Sequence, residues 1–245
     1  MSTCRPCKNP RPLVESHIIP KSFWPLKDDN RSPLIGPLAI VDNVNFRPEP
    51  SRKGPYDKTI LCKECDVALG QLDQHAAEKL LRGKRHSVVQ LFGCRVLRYP
   101  DANPDIIIKF LASVAWRASK SSYKYFDRVK LGPYEDQLKK IFDWQANDRQ
   151  SLECMIAEFD QADVPQLNPT YTRLAGIRFL VLYANRFIFY LKVDKKPTPS
   201  DLQGLMLKEG RPVHSLVMTW SLLKEAKIMK KLAIKMPSPS FWKPR

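Results

Sequence analysis

Apolar side chains recur at helical spacing in several stretches of the chain. From residue 66 to 82 they predict a helix ending near Gly83, with an apolar face of Val67, Ala68, Leu72, Ala76, Leu80 and Leu81. A second helix is predicted for "PDIIIKFLASVAWRASKS", which begins after Asn103. A third is predicted for "YEDQLKKIFDWQA", which follows a Gly-Pro pair. The middle of the chain is therefore expected to be helical.

Alternating apolar and polar positions predict strands in residues 151–197, within "SLECMIAEF" and "TRLAGIRFLVLYANRFIFYLKV". Asn185 and Arg186 interrupt the second segment and predict a turn. Near the N-terminus, a stretch rich in Pro, Asn, Asp and Gly predicts loops around one short strand, "LAIV". Near the C-terminus, "SLVMTWSLLKEAKIMKKLAIK" has the pattern of a basic amphipathic helix. Together these elements predict an α+β fold.

Composition divides the chain into two predicted domains. Residues 1–93 carry two pairs of cysteines and much of the proline, whereas residues 94–245 carry the predicted strands and the remaining helices. A chain of 245 residues is long enough for one large domain or two small ones. We expect a metal-bound N-terminal module followed by a basic α+β accessory domain.

The chain is strongly basic, with a formal net charge of +16 and a pI of about 9.7. Such a surplus favours an anionic partner, most often nucleic acid, although an inert basic surface is the alternative. No apolar run approaches the ~18 residues that span a bilayer. The N-terminus also lacks the apolar segment of a signal peptide. We therefore expect a cytoplasmic protein that has no membrane partner.

Four of the six cysteines form two CxxC pairs, at Cys4, Cys7, Cys62 and Cys65. Zinc prefers four soft or borderline ligands in a tetrahedron, and each CxxC turn places two sulfurs on one side of it. In a cytosolic chain this pattern favours a structural zinc site over disulfides. The alternative is two unrelated reduced pairs. The remaining cysteines, Cys94 and Cys154, are predicted to be small core residues.

His17 lies in the apolar run "SHIIP", where a lone histidine is usually a satisfied core residue. Its surroundings change that expectation. A CxxC pair comes first, then "SHIIP", then loops, and then "DKTILCKECD", in which the second CxxC pair opens a helix. This order resembles the HNH (ββα-metal) endonuclease family in its four-cysteine zinc form, over about residues 1–82. The resemblance implies a treble-clef zinc module.

The same resemblance implies roles for individual residues. His17 stands where the family has the general base that activates water, and Asp57 where a residue orients that base. Asp66 stands where the family binds the catalytic ion, here Mg²⁺ or Mn²⁺. Asp73 shares a helix face with Asp66 and is either a second ligand or a solvated acid. Ser16 departs from the family, which usually has Asp or His at that position.

Two basic segments hold candidate phosphate contacts. On the second predicted helix, Lys109, Arg117 and Lys120 recur on one face, which is either a phosphate-contacting surface or an ordinary solvated face. On the C-terminal helix the candidates are Lys227 and Lys231, although that helix suits a partner protein equally well. The run "FLASVAWRAS" resembles a helix found in a subset of HNH-like proteins. Some of those proteins accompany an ATPase in anti-phage defence, which implies an ATPase partner here.

These features predict a metal-dependent HNH-type endonuclease that acts on nucleic acid, with DNA ahead of RNA as substrate. Its cofactors would be a structural Zn²⁺ and a catalytic Mg²⁺ or Mn²⁺. The alternative is a non-catalytic, zinc-stabilised subunit with a degenerate HNH site that binds nucleic acid or a partner protein. Ser16 favours this alternative, because a serine hydroxyl is a poor ligand for a catalytic divalent ion.

Overall fold

The described part of the chain is mixed α and β. The computed structural model describes residues 2–24, 54–91, 94–143, 152–160 and 167–219. Side chains are described throughout these ranges, except at residues 87–91 and 94. The predicted strand "LAIV" and the predicted contacts Lys227 and Lys231 lie outside them. Within them the chain forms four α-helices and two β-sheets, which confirms the α+β class. No described helix is both long enough and apolar enough to cross a membrane.

The three longer helices lie where the apolar spacing predicts them. The helices are α1 Lys63–Ala76, α2 Pro104–Lys120, α3 Tyr134–Phe142 and the short α4 Ser200–Gln203. Helix α1 begins slightly earlier than predicted and continues as a π-helical turn over Ala77–Leu81. Helix α2 begins at the predicted cap, because the Asn103 side chain accepts hydrogen bonds from two backbone N–H groups of the first turn at 2.9 and 3.3 Å.

A small and a large sheet contain the strands. In the small sheet β1 (Ser16–His17) pairs antiparallel with β2 (Tyr56–Asp57). The large sheet contains β3 His86–Leu91, β4 Cys94–Tyr99, β5 Cys154–Phe159, β6 Thr170–Leu174, β7 Ile177–Ala184, β8 Phe187–Lys192 and β9 Val213–Met218. Its order is β3-β4-β9-β5-β8-β7-β6, and only the β5–β9 pair is parallel.

One side of this sheet corrects the sequence prediction. Strand β9 pairs with both β4 and β5, so the predicted basic helix does not begin at Ser215. The β3–β4 hairpin was not predicted either. By contrast, β5 to β8 form where the alternation predicts them, and Asn185 adopts φ 57° in the predicted β7–β8 turn. Asparagine tolerates this left-handed conformation better than most residues.

The hydrophobic core continues across the predicted domain boundary. The boundary between residues 93 and 94 falls between β3 and β4, which pair with each other. From the N-terminal segment, the Phe23 ring stacks on Phe110 of α2 with centroids 5.3 Å apart and meets Phe189 of β8 edge-on at 6.2 Å. Residues from both sides of the boundary thus bury one another in a single cluster. The predicted boundary between residues 93 and 94 therefore runs through one hydrophobic core.

Both faces of the large sheet are buried at its centre. On β7, Leu180 and Leu182 pack with the helices, whereas Phe179 and Val181 pack into a second cluster that includes Met206. Successive residues of a strand point to opposite faces, so both alternating sets must be apolar. This explains why most residues of β7 and β8 are apolar on both faces.

A buried carboxylate ties the sheet to the end of the first helix. Glu158 of β5 is 1% exposed and accepts hydrogen bonds from Tyr99, Arg186 and Arg85 at 2.8, 3.1 and 3.3 Å, as well as from Ser215. Arg186 also donates to the carbonyl of Leu80 at 3.0 Å. Burying an acid is costly unless its oxygens are bonded and its charge is balanced, and both conditions are met here. The network therefore fixes how α1 and its π-helical turn sit on the sheet.

Candidate metal centre and the His17 site

The two CxxC pairs meet in space. The four Sγ atoms of Cys4, Cys7, Cys62 and Cys65 all lie within 4.8 Å of one another. A tetrahedral zinc–thiolate site with Zn–S bonds of about 2.3 Å places sulfurs about 3.8 Å apart, and the Sγ atoms of Cys7 and Cys62 are 3.9 Å apart. The donor set and its spacing therefore fit one zinc-sized ion, and the predicted four-cysteine cluster is confirmed.

Backbone hydrogen bonds hold the two cysteine segments together. Arg5 N–H donates to the carbonyl of Ile60, and Val14 N–H to the carbonyl of Leu61, each at 2.9 Å. The backbone N–H of Cys62 points at the Sγ of Cys4, at 3.2 Å. Such N–H···S contacts stabilise thiolate sulfur. The N-terminal loop is therefore shaped around the start of α1, where Cys62 is the N-cap residue.

The electrostatics of the cluster favour a bound cation. Burial raises the pKa of the Cys65 thiol, and the neighbouring sulfurs raise it further because clustered thiolates repel one another. A divalent cation among the four sulfurs reverses this balance, since it deprotonates coordinating thiols outright. Cys154, by contrast, is fully buried in the core as predicted, and the side chain of Cys94 lies outside the described residues.

The antiparallel pair of β1 and β2 holds His17 near Asp73 of α1, because Arg117 bonds both residues. His17 pairs with Tyr56 across the hairpin, and their rings meet edge-on with centroids 6.5 Å apart. The His17 side chain is partly exposed, whereas its neighbours Ser16 and Ile18 are buried. The imidazole of His17 is therefore partly accessible to solvent, unlike the side chains on either side of it. The hydroxyl of Ser16 is buried and has no hydrogen-bond partner within the described chain.

A buried arginine joins α2, α1 and β1. The guanidinium of Arg117 donates to both carboxylate oxygens of Asp73 at 2.9 and 2.7 Å, and one of its nitrogens also donates to the carbonyl of His17 at 2.9 Å. Arg117 is only 1% exposed. A bidentate, buried pair of this kind fixes direction as well as distance. It therefore fixes the backbone of the predicted base relative to the first helix.

Asp66 and Asp73 lie on the same side of α1, and His17 lies near Asp73. Burial raises the pKa of the Asp73 carboxyl, the Arg117 guanidinium opposes that shift, and the charges of Asp66 and His17 also act on it. Asp66 and His17 are thus both electrostatic neighbours of Asp73. Arg117 already bonds each oxygen of Asp73, so these oxygens are less available to a metal ion than those of Asp66. Asp66 is partly exposed on the first turn of α1 and remains the carboxylate suited to a metal ion.

Asp57 joins the small sheet of β1 and β2 to the end of α2. One carboxylate oxygen accepts from the N–H and hydroxyl of Thr59 at 2.8 and 2.7 Å. The other accepts from the Ser121 hydroxyl at 3.1 Å and from the N–H and hydroxyl of Ser122 at 2.8 and 3.0 Å. Burial would raise the pKa of Asp57, but these hydrogen bonds outweigh it and lower the pKa. Asp57 also pairs with Ser16 in the small sheet, so its carboxylate fixes β2 against β1, the strand that carries His17.

The predicted basic face of α2 is neutralised by acids. Lys109 pairs with Asp105 at 2.8 Å, and Lys120 pairs with Glu135 of α3. Arg117, predicted to contact phosphate, is instead buried against Asp73. Arg117 is therefore neither the exposed phosphate contact that was predicted nor part of a solvated face. A cation that already has a carboxylate partner contributes less to phosphate binding, because the ligand must displace that partner.

No protein-family model, curated protein or solved structure matches this chain. The function must therefore be argued from the chain's own residues.

Sequence reasoning missed the role of Arg117, which decides the geometry of the site. Its partner Asp73 is 44 residues away along the chain, so no local spacing joins them. The one available signal was the juxtaposition of an Arg within an otherwise apolar helix, "SVAWRAS", and an acid on another predicted helix. Charged residues among apolar ones are often buried pairs rather than surface groups.

The cysteine cluster predicts one bound ion per chain. Cys4→Ser or Cys65→Ser should lose the ion and unfold the N-terminal segment, because structural zinc sites contribute folding energy directly. The metal content of dialysed protein, measured by plasma mass spectrometry, provides the test. Cys154→Ala is the matched control, since it also removes a buried thiol but should keep a full complement of metal. Equal metal content in the three variants would contradict the assignment.

Arg117→Gln should lower the free energy of unfolding by about 3–5 kcal/mol, because it leaves the Asp73 carboxylate buried without its partner. The control is Lys109→Gln on the same helix, whose partly exposed ion pair should contribute less than about 1 kcal/mol. Urea denaturation of both variants measures the difference. Equal, small losses would show that the Arg117 pair does not hold the site.

Proposed function

We propose that the chain is a metal-dependent endonuclease of the HNH type, which hydrolyses phosphodiesters of nucleic acid. One observation carries the proposal. A partly exposed histidine, His17, on a two-stranded antiparallel sheet lies near Asp73 of the helix that follows β2. A four-cysteine cluster joins the loop before β1 to the start of that helix. A histidine and carboxylates on one helix supply the two kinds of group that the proposed reaction needs, a proton acceptor and a ligand for a divalent cation.

In the proposed reaction, His17 accepts a proton from the water that attacks the phosphorus. The bond between phosphorus and the leaving 3′ oxygen then breaks. Imidazole suits this role because it can accept a proton under near-neutral conditions. A Mg²⁺ or Mn²⁺ ion held by Asp66 would stabilise the charge that develops on the phosphate and the leaving oxygen. Asp57 and Asp73 would orient the elements that carry these groups.

The order of elements supports a treble-clef, ββα-type module. The first CxxC pair precedes β1, β2 leads to the second pair, and that pair caps α1. In this proposal the zinc ion takes no part in the chemistry, because four thiolates leave it no open position for water or substrate. It would hold the loop that leads to His17 against the helix that carries Asp66.

The buried Ser16 supports a second candidate function. Its hydroxyl lies in the interior next to the predicted base, at a position where the related family usually offers a metal ligand. A site that lacks this ligand would depend on Asp66 for its protein-derived negative charge. The chain would then be a zinc-stabilised subunit that binds nucleic acid or a partner protein without cutting. The predicted preference for DNA, the ATPase partner and the role in anti-phage defence remain predictions of the sequence resemblance.

The test is nucleic-acid cleavage by zinc-loaded wild type and His17→Ala, on supercoiled plasmid and on structured RNA, with Mg²⁺, Mn²⁺ or neither ion. We expect ion-dependent cutting by the wild type and a loss of about 10²–10⁴-fold in His17→Ala, the usual contribution of a general base.

His86→Ala is the matched control, because His86 is an exposed histidine at the start of β3. It should cut like the wild type. Cleavage that survives in His17→Ala would show that His17 is not the base. Binding of nucleic acid without cleavage, at one zinc per chain, would favour the second candidate function.

A further inference from the structure

A basic pocket lies away from the cysteine cluster, where the segment before α3 meets the edge of the large sheet. Its volume is about 460 Å³, which is within the usual range of small-molecule sites. Four cations line it, namely Lys130, Arg173, Arg178 and Lys195. Two tyrosines, Tyr134 and Tyr171, complete much of the wall. None of these residues belongs to the site proposed for catalysis.

The positive charge of the pocket is poorly balanced. Its one acidic lining residue is Asp194, whose carboxylate oxygens accept the backbone N–H groups of Arg178 and Lys196, each at 3.0 Å. Within the described residues, the side chain of Arg173 donates to a carbonyl, that of Gly176, at 3.3 Å. The cations of this pocket therefore differ from those of α2, where each has a carboxylate partner.

The two arginines that line the pocket lie directly opposite each other on neighbouring strands. In the antiparallel β6–β7 pair, Arg173 is in register with Arg178. Cross-strand neighbours on one face have Cβ atoms only about 4.5–5.5 Å apart, and like charges at such positions destabilise the sheet. Within the described residues β6 is the last strand of the sheet, so this pair lies at its edge. An anion that bridges the two guanidinium groups would relieve their repulsion.

The pocket is also held in shape before any ligand arrives. The guanidinium of Arg178 lies over the Tyr171 ring, 4.2 Å from its centroid. The Tyr171 hydroxyl donates to the Lys130 carbonyl at 2.7 Å and accepts from the Lys130 N–H at 3.0 Å. The arginine that would meet the anion is therefore positioned by an aromatic ring that is itself fixed at its far end. Such preorganisation lowers the entropic cost of binding.

We propose that this pocket binds one nucleotide unit of a single-stranded nucleic acid, with a backbone phosphate bridging Arg173 and Arg178. Guanidinium groups match the geometry of phosphate oxygens, and binding grooves for single strands combine cations with aromatic side chains in this way. The volume suits a phosphate, a sugar and a base better than an inorganic ion alone. The inference goes beyond the proposed function, because the pocket would bind a strand even if the His17 site did not cut.

The experiment measures binding of a fluorescent single strand of about 12 nucleotides by anisotropy over a range of salt concentrations. The protein carries His17→Ala throughout and no Mg²⁺ is added, so binding is read without cleavage. Arg173→Gln combined with Arg178→Gln should weaken binding at least about tenfold. It should also reduce the slope of log affinity against log salt by about 0.7 for each phosphate that the protein no longer neutralises.

The control removes the same amount of charge from α2, through Lys109→Gln combined with Lys120→Gln. It should weaken binding much less, because both lysines have carboxylate partners. Equal losses in the two double variants, or none in the first, would overturn the assignment. A free mononucleotide that binds as tightly as the strand would also overturn it, in favour of a small-molecule site. Thermal unfolding of each variant checks that the fold is intact.

Discussion

The guanidinium of Arg117 is buried where helix α2, helix α1 and strand β1 meet, and it is bonded to all three. Its donors are divided between the Asp73 carboxylate, the His17 carbonyl and the Ser113 carbonyl of its own helix, the last at 3.4 Å. A charge this deep requires a partner of opposite sign in a fixed geometry. Elements that lie far apart in the sequence are therefore held in one arrangement. The position of the proposed base follows from that arrangement.

Two other sets of contacts also hold the small sheet of β1 and β2 in place. The cysteine cluster joins the loop before β1 to the N-terminus of α1, and Asp57 joins β2 to the residues that follow α2. Phe23 then packs the segment after β1 into the aromatic core of the large sheet. The contacts of Asp57 and Phe23 link the N-terminal module to later parts of the chain, whereas the cysteine cluster joins two segments within the module. Residues 1–93 therefore share one core with the rest of the chain. Within "SHIIP", only the His17 side chain is not buried.

The sequence predicted what depends on local spacing. The helices at α1, α2 and α3, the strands β5 to β8 and the clustering of the four cysteines were all visible in periodicity or motif. What it missed depends on distant partners. Helical spacing placed Arg117 opposite the apolar face but could not show that Asp73 would cover it. Likewise, "VHSLVM" became a strand because β4 and β5 offer it two open neighbours, although the longer segment has helical periodicity.

We propose that Asp66 holds a divalent ion close to His17. The most direct test is the NMR spectrum of the four histidine rings in zinc-loaded protein during titration with paramagnetic Mn²⁺. We expect the ring signals of His17 to broaden first and most strongly, those of His86 and His214 to stay sharp, and the selective effect to disappear in Asp66→Asn. Uniform broadening of all four rings, or none at His17, would contradict the claim.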